Sequence, residues 1–253
     1  MNRAFKYGDG LFETMKVISG TPMFWNDHLA RLLFGAKLLK LDVDEKWLKK
    51  ELLSAIESDT SDYPVARVRA TIYRSGGGKY TPETNKIKWS LEVTPMDAQG
   101  YHLPEEGISL GVYDEVKLSR QPLSNAKTLN ALPYVLASIY KTDAGWDDVL
   151  LKNDEGRIAE ATSSNVFLVK GNEIVTPSLT EGCIKGVFRQ QLLSKGLAQE
   201  GMVHLGDFEN ADSIFLTNVI SGVRWVEKVS FLDKVFHRPT QIIDTIENLS
   251  STL

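Results

Sequence analysis

The chain has 253 residues, of which 42% are apolar and 25% are charged, so it is long enough for one large globular domain or two smaller ones. Its formal net charge is -4, from 29 basic and 33 acidic residues, and this balance excludes a field that would favour nucleic acid or an anionic membrane. The single cysteine, Cys183, excludes an intrachain disulfide and a cysteine-clustered metal site.

Apolar spacing predicts strands and helices in the first half of the chain. Leu11 to Ile18, a Ser19-Gly20 turn and Thr21 to Trp25 have the pattern of a β-hairpin. Asn26 or Asp27 can cap a helix that carries leucines up to Leu39, and a second helix is expected after Asp44, with Trp47, Leu48, Leu52 and Ile56 on one face. Further strands are predicted at 65–73, 87–93 and 108–116.

The regular pattern lapses around Arg120, and we place a domain boundary there, between 1–118 and 119–253. In the second half, helices are predicted at about 128–142, at 186–194 and after Pro239, and strands at 148–152, 165–169, 173–175 and 213–216. Because strands and helices are mixed without a steady βαβ alternation, the prediction is an α+β (mixed α/β) fold of two subdomains.

Three segments in the second half carry an ordered motif. Glu160-Ala-Thr-Ser-Ser-Asn165-Val-Phe167 is followed by Ile174-Val-Thr176 and then by Ile184-Lys-Gly186-Val187-Phe-Arg189. Their order and spacing resemble the signature of the class IV (fold-type IV) enzymes that use pyridoxal phosphate (PLP). Every constrained position of that pattern is filled.

Other segments resemble further blocks of the same family. Ala126-Lys127-Thr-Leu-Asn130-Ala-Leu-Pro133 is similar to the segment that carries the family's lysine, and Tyr7 to Thr14 and His28-Leu-Ala-Arg31-Leu32 are similar to two N-terminal blocks. The resemblance covers nearly the whole chain. It implies a two-domain fold similar to that of D-amino-acid aminotransferases, with PLP as the cofactor.

PLP chemistry needs a lysine that forms a Schiff base and moves protons, an acid that faces the pyridine nitrogen, and donors for the phosphate. The resemblance assigns the first task to Lys127 and the second to Glu160. It assigns the phosphate to Arg31, whose fixed charge suits that group.

Backbone groups are expected to complete the phosphate site. Val187 and Phe188 follow Gly186 at the start of a predicted helix, where N–H groups lack partners within the helix. The loop that begins with Thr217 resembles a second phosphate-contacting segment, although Thr217 could equally be a strand-end residue. The residues implied in that loop are Asn218 and Val219.

Family resemblance leaves the reaction open between an aminotransferase acting on a small amino acid and an aminodeoxychorismate lyase, which eliminates pyruvate to give 4-aminobenzoate. The segment after Lys127 resembles that of D-amino-acid aminotransferases, yet Lys79-Tyr80-Thr81 stands where that subgroup has an Arg-x-His carboxylate trap. Conversely, Arg74-Ser-Gly-Gly-Gly-Lys79-Tyr80 resembles a loop of the lyases.

Candidate substrate residues lie in the first half. Arg74 and Lys79 are expected near the substrate carboxylate, and Tyr7 and Phe12 are expected to form walls of the pocket, with core packing an equal interpretation for Phe12.

The expected surroundings of the protein follow from the same observations. The resemblance implies a homodimer with a small amino or keto acid as substrate. We expect no metal ion, because the four histidines show no ligand spacing. No apolar run approaches the roughly 18 residues that span a bilayer and the N-terminus lacks a secretory pattern, so the expected compartment is the cytoplasm. A family member that binds PLP without turnover is the alternative from another functional class.

Overall fold

The computed structural model describes residues 2–97 and 101–239, and the chain divides into two compact units. The first unit comprises Met1–Gln99 and Ala126–Asn130, and the second comprises Gly100–Asn125 and Ala131–Leu253. The predicted division after residue 118 differs from this one. The strand at Ile108–Leu118 is hydrogen-bonded to strands of the second unit on both of its edges, which assigns it to that unit.

The first unit is an antiparallel sheet with helices packed on one face. Its helices are α1 (Arg3–Tyr7), α2 (Trp25–Leu38) and α3 (Glu45–Asp59), and its strands are β1 (Gly10–Ile18), β2 (Thr21–Pro22), β3 (Val65–Arg74) and β4 (Ile87–Pro95). The strand order is β2-β1-β3-β4. Alternate residues of β1 and β3, such as Leu11, Met15 and Val68, enter a buried core shared with Leu48 and Leu52 of α3.

Most of the helix predictions in this unit are confirmed. Asp44 caps α3 by accepting a hydrogen bond from the N–H of Trp47 at 3.0 Å. The Trp47 side chain is 41% exposed, so its predicted place on the buried face is wrong. α2 begins at Trp25 after Phe24 in a left-handed conformation, so Asn26 and Asp27 lie inside the first turn and do not cap the helix.

The second unit is built on a mixed sheet. Its strands are β5 (Ile108–Leu118), β6 (Asp148–Asn153), β7 (Ile158–Ala161), β8 (Asn165–Lys170), β9 (Glu173–Pro177), β10 (Gln199–Gly201), β11 (Ser213–Asn218) and β12 (Gly222–Val229), and its helices are α4 (Leu132–Asp143) and α5 (Val187–Ser194). The order is β10-β9-β8-β11-β12-β5-β6-β7. β5 runs parallel to β12 and β6, whereas β8 runs antiparallel to β9 and β11. The mixed α/β class predicted from the sequence is confirmed.

Several predicted boundaries differ from the structure. The helix predicted from Thr128 begins only at Leu132, because the residues before it are extended and Pro133 occupies the first turn. β7, β10 and β12 were not predicted. The helix predicted after Pro239 lies outside the described residues. Within the described ranges, no helix is both long and apolar enough to cross a membrane.

Candidate active site

Lys127 lies in an extended segment that pairs with β1 in the first unit. The N–H of Phe12 donates to the carbonyl of Lys127 at 2.9 Å, and the N–H of Leu129 donates to the carbonyl of Gly10 at 3.0 Å. Leu11 and Thr128 are antiparallel partners. The Lys127 ammonium lies 4.5 Å from the centre of the Phe12 ring. The backbone pairing therefore fixes the position of the Lys127 Cα atom, from which the side chain extends.

Glycine is required beside this segment. Gly8 has a left-handed φ of 62°, and a Cβ added there would lie 2.6 Å from Oδ1 of Asn130. The Asn130 amide donates in turn to the carbonyl of Gly8 at 3.3 Å. The first glycine of the Tyr7-Gly-Asp-Gly motif thus permits the close approach of the Lys127 segment.

Arg69 is a neighbour of this lysine that the sequence analysis did not single out. Its guanidinium carbon lies 3.7 Å from the centre of the same Phe12 ring. Burial lowers the pKa of Arg69, the attraction of Glu92 opposes that shift, and Arg67 adds to it. The available indication was the alternation of Arg67 and Arg69 with apolar residues along β3, which directs both arginines to the face away from the core.

Arg31, predicted to bind phosphate, is buried on α2 and oriented by a carboxylate. Its Nε donates to Oε1 of Glu13 at 2.8 Å, and Nη2 donates to Oε2 at 2.5 Å. Nδ1 of His28 lies 2.7 Å from the same carboxylate. Burial alone would raise the pKa of Glu13, but the charge and hydrogen bonds of Arg31, with His28, lower it to about 2.

Arg74, predicted as a substrate residue, is engaged inside the first unit. Its Nε donates to Oδ2 of Asp9 at 3.0 Å, Nη1 to Oδ1 of Asn85 at 2.5 Å, and Nη2 to the carbonyl of Leu39 at 2.5 Å. The residue is only 7% exposed. These contacts give the guanidinium a structural task in the first unit, and the substrate role of Arg74 stays a prediction.

The other two predicted substrate residues lie near α1. Lys79 is exposed, and its carbonyl accepts a hydrogen bond from Arg3 at 2.7 Å. Tyr7 is half-buried, with its ring 5.7 Å from the ring of Tyr80 and 4.9 Å from the guanidinium of Arg3. Neither contact points to a substrate.

Glu160 lies on β7 in the second unit, where its carboxylate is held by three donors. The Tyr134 hydroxyl donates at 2.7 Å, the N–H of Ile184 at 3.1 Å and the Asn165 amide at 3.3 Å. Burial, together with the charge of Glu160, raises the pKa of Tyr134 well above its usual value, so this phenol remains a donor. The network fixes the carboxylate in one orientation.

Two kinds of group that suit an oxyanion are neighbours of Asn165, namely the N–H groups at the start of α5 and the hydroxyl of Thr217. No side chain caps the helix, whose first-turn N–H groups have no partners within it. A Cβ added at Gly186 would lie 1.8 Å from Oδ1 of Asn165, so this helix start requires glycine. Asn165 pairs with Thr217 across β8 and β11, and the Thr217 hydroxyl is buried without a hydrogen-bond partner in the described part of the chain.

Asn218 and Val219, which were predicted to contact the phosphate, make hydrogen bonds that hold the loop after β11. Oδ1 of Asn218 accepts hydrogen bonds from the N–H groups of Ile220 and Ser221, at 2.9 and 2.8 Å. The Asn218 amide donates to Oγ of Ser164 at 3.0 Å. The carbonyl of Val219 accepts from the Tyr101 hydroxyl at 2.7 Å. The side chain of Asn218 is therefore committed to the loop.

These residues fit PLP. A buried hydroxyl without a partner costs free energy, and a phosphate beside Thr217 and the first turn of α5 would satisfy both the hydroxyl and the helix amides. In the second unit, Glu160 would offer a fixed carboxylate to a pyridinium, and in the first unit, Lys127 would offer an amine. In the described ranges, no group of three or more His, Cys, Asp or Glu residues is arranged to hold a metal ion. The fold and these groups agree with the class of enzymes that depend on PLP.

Comparison with known proteins agrees with this class. The family model for amino-transferase class IV matches residues 10–229. The chain is 28% identical to an aminodeoxychorismate lyase of Vibrio harveyi, over 90% of this chain and 86% of that one. It is 26% identical to a D-alanine aminotransferase of Bacillus licheniformis, over 88% and 79%.

A solved structure gives the same result. The chain matches the crystal structure of 4-amino-4-deoxychorismate lyase from Pseudomonas aeruginosa with a TM-score of 0.86 and 29% identity, over 100% of this chain and 94% of that one. The protein belongs to the class IV aminotransferase family. Enzymes of this family depend on PLP, which confirms the cofactor and the fold type predicted from the sequence.

The Glu13–Arg31 pair gives the first testable prediction. A carboxyl group whose pKa is depressed on folding contributes stability above its unfolded pKa, and that contribution is lost as the pH falls through the folded pKa. The shift from 4.5 to about 2 corresponds to about 3 kcal/mol. We expect Glu13→Gln to unfold more easily than the wild type at pH 6, because it leaves Arg31 buried without its anion.

The difference in unfolding free energy between Glu13→Gln and wild type should shrink as the pH falls from about 4.5 to about 2. Urea denaturation at several pH values measures it. Glu57→Gln, which changes an exposed carboxylate, is the control and should track the wild type throughout. A Glu13→Gln difference that does not vary with pH would contradict this account of the pair.

Proposed function

We propose that the protein is a PLP-dependent aminotransferase acting on a small amino acid, with Lys127 as the residue that binds the cofactor and transfers protons. The observation that carries the proposal is the pairing of the Lys127 segment with β1, which holds the ammonium 4.5 Å from the Phe12 ring. The backbone position of such a lysine is fixed, and an aromatic ring lies beside its ammonium. Both features suit an amine that must react.

PLP, when bound, supplies an aldehyde for a Schiff base and a ring that accepts electrons from the substrate. Lys127 then has two tasks. Its Nζ would hold the cofactor before the substrate binds. Its amine would then move the proton of the substrate Cα, as general acid–base catalysis requires.

Glu160 is proposed to keep the pyridine nitrogen protonated. The hydrogen bonds from Tyr134, the Asn165 amide and the N–H of Ile184 hold the carboxylate in one orientation. A charged, fixed carboxylate is what a pyridinium needs as its partner. We therefore expect Glu160→Gln to retain PLP on Lys127 but to lose most of its turnover.

The phosphate is proposed to lie against the first turn of α5 and Thr217, with Arg31 as its cation. Val187 and Phe188 would contribute backbone N–H groups. Asn218 and Val219 would contribute through the loop backbone, since the Asn218 side chain is already engaged. The Glu13 carboxylate orients the guanidinium of Arg31.

An aminodeoxychorismate lyase is the second candidate, favoured by a specific observation. The matched lyases share 28% and 29% identity with this chain, and the solved one covers it entirely. Both reactions begin by removing a proton from an amine-bearing carbon, so Lys127 and Glu160 would serve either outcome. The fate of the substrate after that step distinguishes the two.

A half-reaction screen separates these candidates. Each L- and D-amino acid is added singly to the PLP-loaded protein while the absorption of the lysine-bound cofactor is followed. Conversion to the pyridoxamine form by particular amino acids is expected, and it names the donor class. Lys127→Ala is the matched control and should lose both the lysine-bound band and the conversion.

Other outcomes of the screen overturn the proposal. No conversion by any amino acid, with 4-aminobenzoate formed from aminodeoxychorismate, would assign the lyase. A lysine-bound band with neither reaction would indicate a protein that binds PLP without turnover. The absence of any lysine-bound band would contradict the role of Lys127.

Homodimer formation and a cytoplasmic location stay predictions. α4 has an exposed apolar face of a kind that marks association sites, formed by Leu132, Val135, Leu136 and Ile139. We propose that this face lies at the contact between two copies. A charge in the centre of such a contact is disfavoured, because charged residues are depleted there.

Ile139→Glu is therefore expected to sediment as a monomer at a concentration where the wild type is a dimer. Lys49→Glu, which changes an exposed residue of α3, should sediment as the wild type does. A wild-type protein that is monomeric and still turns over would contradict the predicted dimer.

A further inference from the structure

Tyr101 lies at the beginning of the second unit and is buried in it. Its side chain is 2% exposed, and Leu103, two residues further along, is 7% exposed. The carbonyl of Pro104 accepts a hydrogen bond from Nε1 of Trp225 on β12 at 3.0 Å. The segment 101–107, which leads to β5, is therefore packed against the second unit, and Tyr101 is its most buried residue.

The ring of Tyr101 contacts the first turn of α5. The ring centres of Tyr101 and Phe188 are 5.3 Å apart and the ring planes are at 89°, which is an edge-to-face contact. Phe188 is the second residue of α5 and is 1% exposed. Its N–H belongs to the first turn, where a helix offers N–H donors to an anion. The ring contact therefore restrains a residue that presents such a donor.

The hydroxyl of Tyr101 contacts the loop after β11. It donates a hydrogen bond to the carbonyl of Val219 at 2.7 Å. Burial raises the pKa of Tyr101, so the hydroxyl keeps its proton and remains a donor. Val219 lies in the turn between β11 and β12, where Asn218 and Gly222 are paired. One side chain thus joins this turn to the first turn of α5.

Glycine at position 222 leaves room for the same ring. Gly222 has a left-handed φ of 70°, and a Cβ added there would lie 2.7 Å from Cδ1 of Tyr101. Asn218 holds the turn from within, because its Oδ1 accepts hydrogen bonds from the N–H groups of Ile220 and Ser221. The turn is shaped by its own hydrogen bonds, and Tyr101 fixes its position relative to α5.

The two elements that Tyr101 contacts are the backbone elements of the candidate phosphate site. Thr217, whose buried hydroxyl has no hydrogen-bond partner in the described part of the chain, is close to the turn on β11. A site whose parts are already in place binds its ligand more tightly, because binding does not have to order them. If only a fraction of the molecules has the parts in place, the apparent affinity falls by that fraction.

We propose that Tyr101 is a positioning residue for the phosphate of the cofactor, and that it holds the first turn of α5 and the turn after β11 at the spacing that a phosphate needs. This proposal rests on the proposed function in one respect, that the phosphate lies against these two elements. Tyr101 acts through Phe188 and Val219. Its ring and its hydroxyl make separate contacts, so the two can be removed one at a time.

The test compares the affinity of the cofactor-free protein for PLP and for pyridoxal, which carries the same aldehyde but no phosphate. The absorption of the lysine-bound form is followed in each titration. Tyr101→Phe keeps the ring, and its dissociation constant for PLP should rise about 3-fold, as loss of one hydrogen bond implies. Tyr101→Leu removes both contacts and should raise it at least about 10-fold. Pyridoxal binding should not change.

Two further variants serve as controls. Tyr113→Phe removes the hydroxyl of another buried tyrosine of the second unit, whose ring lies against Tyr140, and should bind both compounds as the wild type does. Thr217→Val removes the hydroxyl that is proposed to contact the phosphate, and should weaken the binding of PLP but not of pyridoxal. The phosphorus resonance of bound PLP should shift in Tyr101→Leu, because the groups around the phosphate are displaced.

Unchanged PLP binding in Tyr101→Leu, with weakened binding in Thr217→Val, would overturn the proposal and leave the phosphate site in place. An equal loss of PLP and pyridoxal affinity in Tyr101→Leu would also overturn it, because that result indicates damage to the unit rather than to a phosphate site. Unchanged PLP binding in Thr217→Val would contradict the location of the phosphate in the proposed function, and the role of Tyr101 fails with it. The Thr217→Val result therefore distinguishes the two failures.

Discussion

Two backbone hydrogen bonds hold the lysine segment against the first strand, and the position of Lys127 in the first unit depends on them. They join Phe12 to Lys127 and Leu129 to Gly10. The segment that carries Lys127 therefore pairs with β1 as a short additional strand would. The segment at Ala126–Asn130 belongs to the first unit although the chain on both sides of it belongs to the second. The pairing requires glycine at position 8, where any side chain would meet Asn130. The point at which the Lys127 side chain begins is thereby fixed by main-chain hydrogen bonds.

Several charged residues of the first unit form ion pairs with one another. The carboxylate of Glu13 is paired with Arg31 and His28, and the carboxylate of Asp9 is paired with Arg3 and Arg74. Removing one residue of such an ion pair destabilises the first unit, because the remaining charge is then buried without a partner. Arg69 differs, because it stacks on Phe12 without an ion pair in the described parts of the chain. In the second unit, the buried Thr217 hydroxyl has no hydrogen-bond partner among the described residues.

Much of the fold could be predicted from the sequence, because alternation and helical spacing reflect burial directly. β1, β3 and β4 follow the predicted ranges closely, and α3 begins where Asp44 predicted. The helix start at Leu132 was misplaced, because the residues from Thr128 have helical propensity but are committed to a tertiary pairing with β1. β7 was missed because its four residues, Ile158–Ala161, are too few to show a period. The sequence places β5 before the predicted domain boundary, whereas its strand partners β12 and β6 lie in the second unit, because a parallel strand gains its partners from distant parts of the chain.

Some residues of the candidate site could be singled out from the sequence, whereas the contacts of others are visible only in the structure. Lys127, Glu160 and Gly186 were found through an ordered motif, and the structure gives each a physical reason in backbone pairing, a set of donors or a close contact. Arg74 was chosen for its charge and its loop, but sequence does not reveal that Asp9 and Asn85 already occupy it. The contact between Arg69 and the Phe12 ring was not predicted, because it joins side chains of two strands and depends on their register.

The central claim is that Lys127 is the residue that holds the cofactor. Borohydride reduction of the PLP-loaded protein fixes the cofactor to its lysine, and peptide mapping by mass spectrometry then identifies that residue. The account predicts a single pyridoxyl group on the peptide that contains Lys127, and its absence from Lys127→Ala. A label on another lysine, such as Lys185 beside Gly186 or the exposed Lys79, or no label on the wild type, would contradict it.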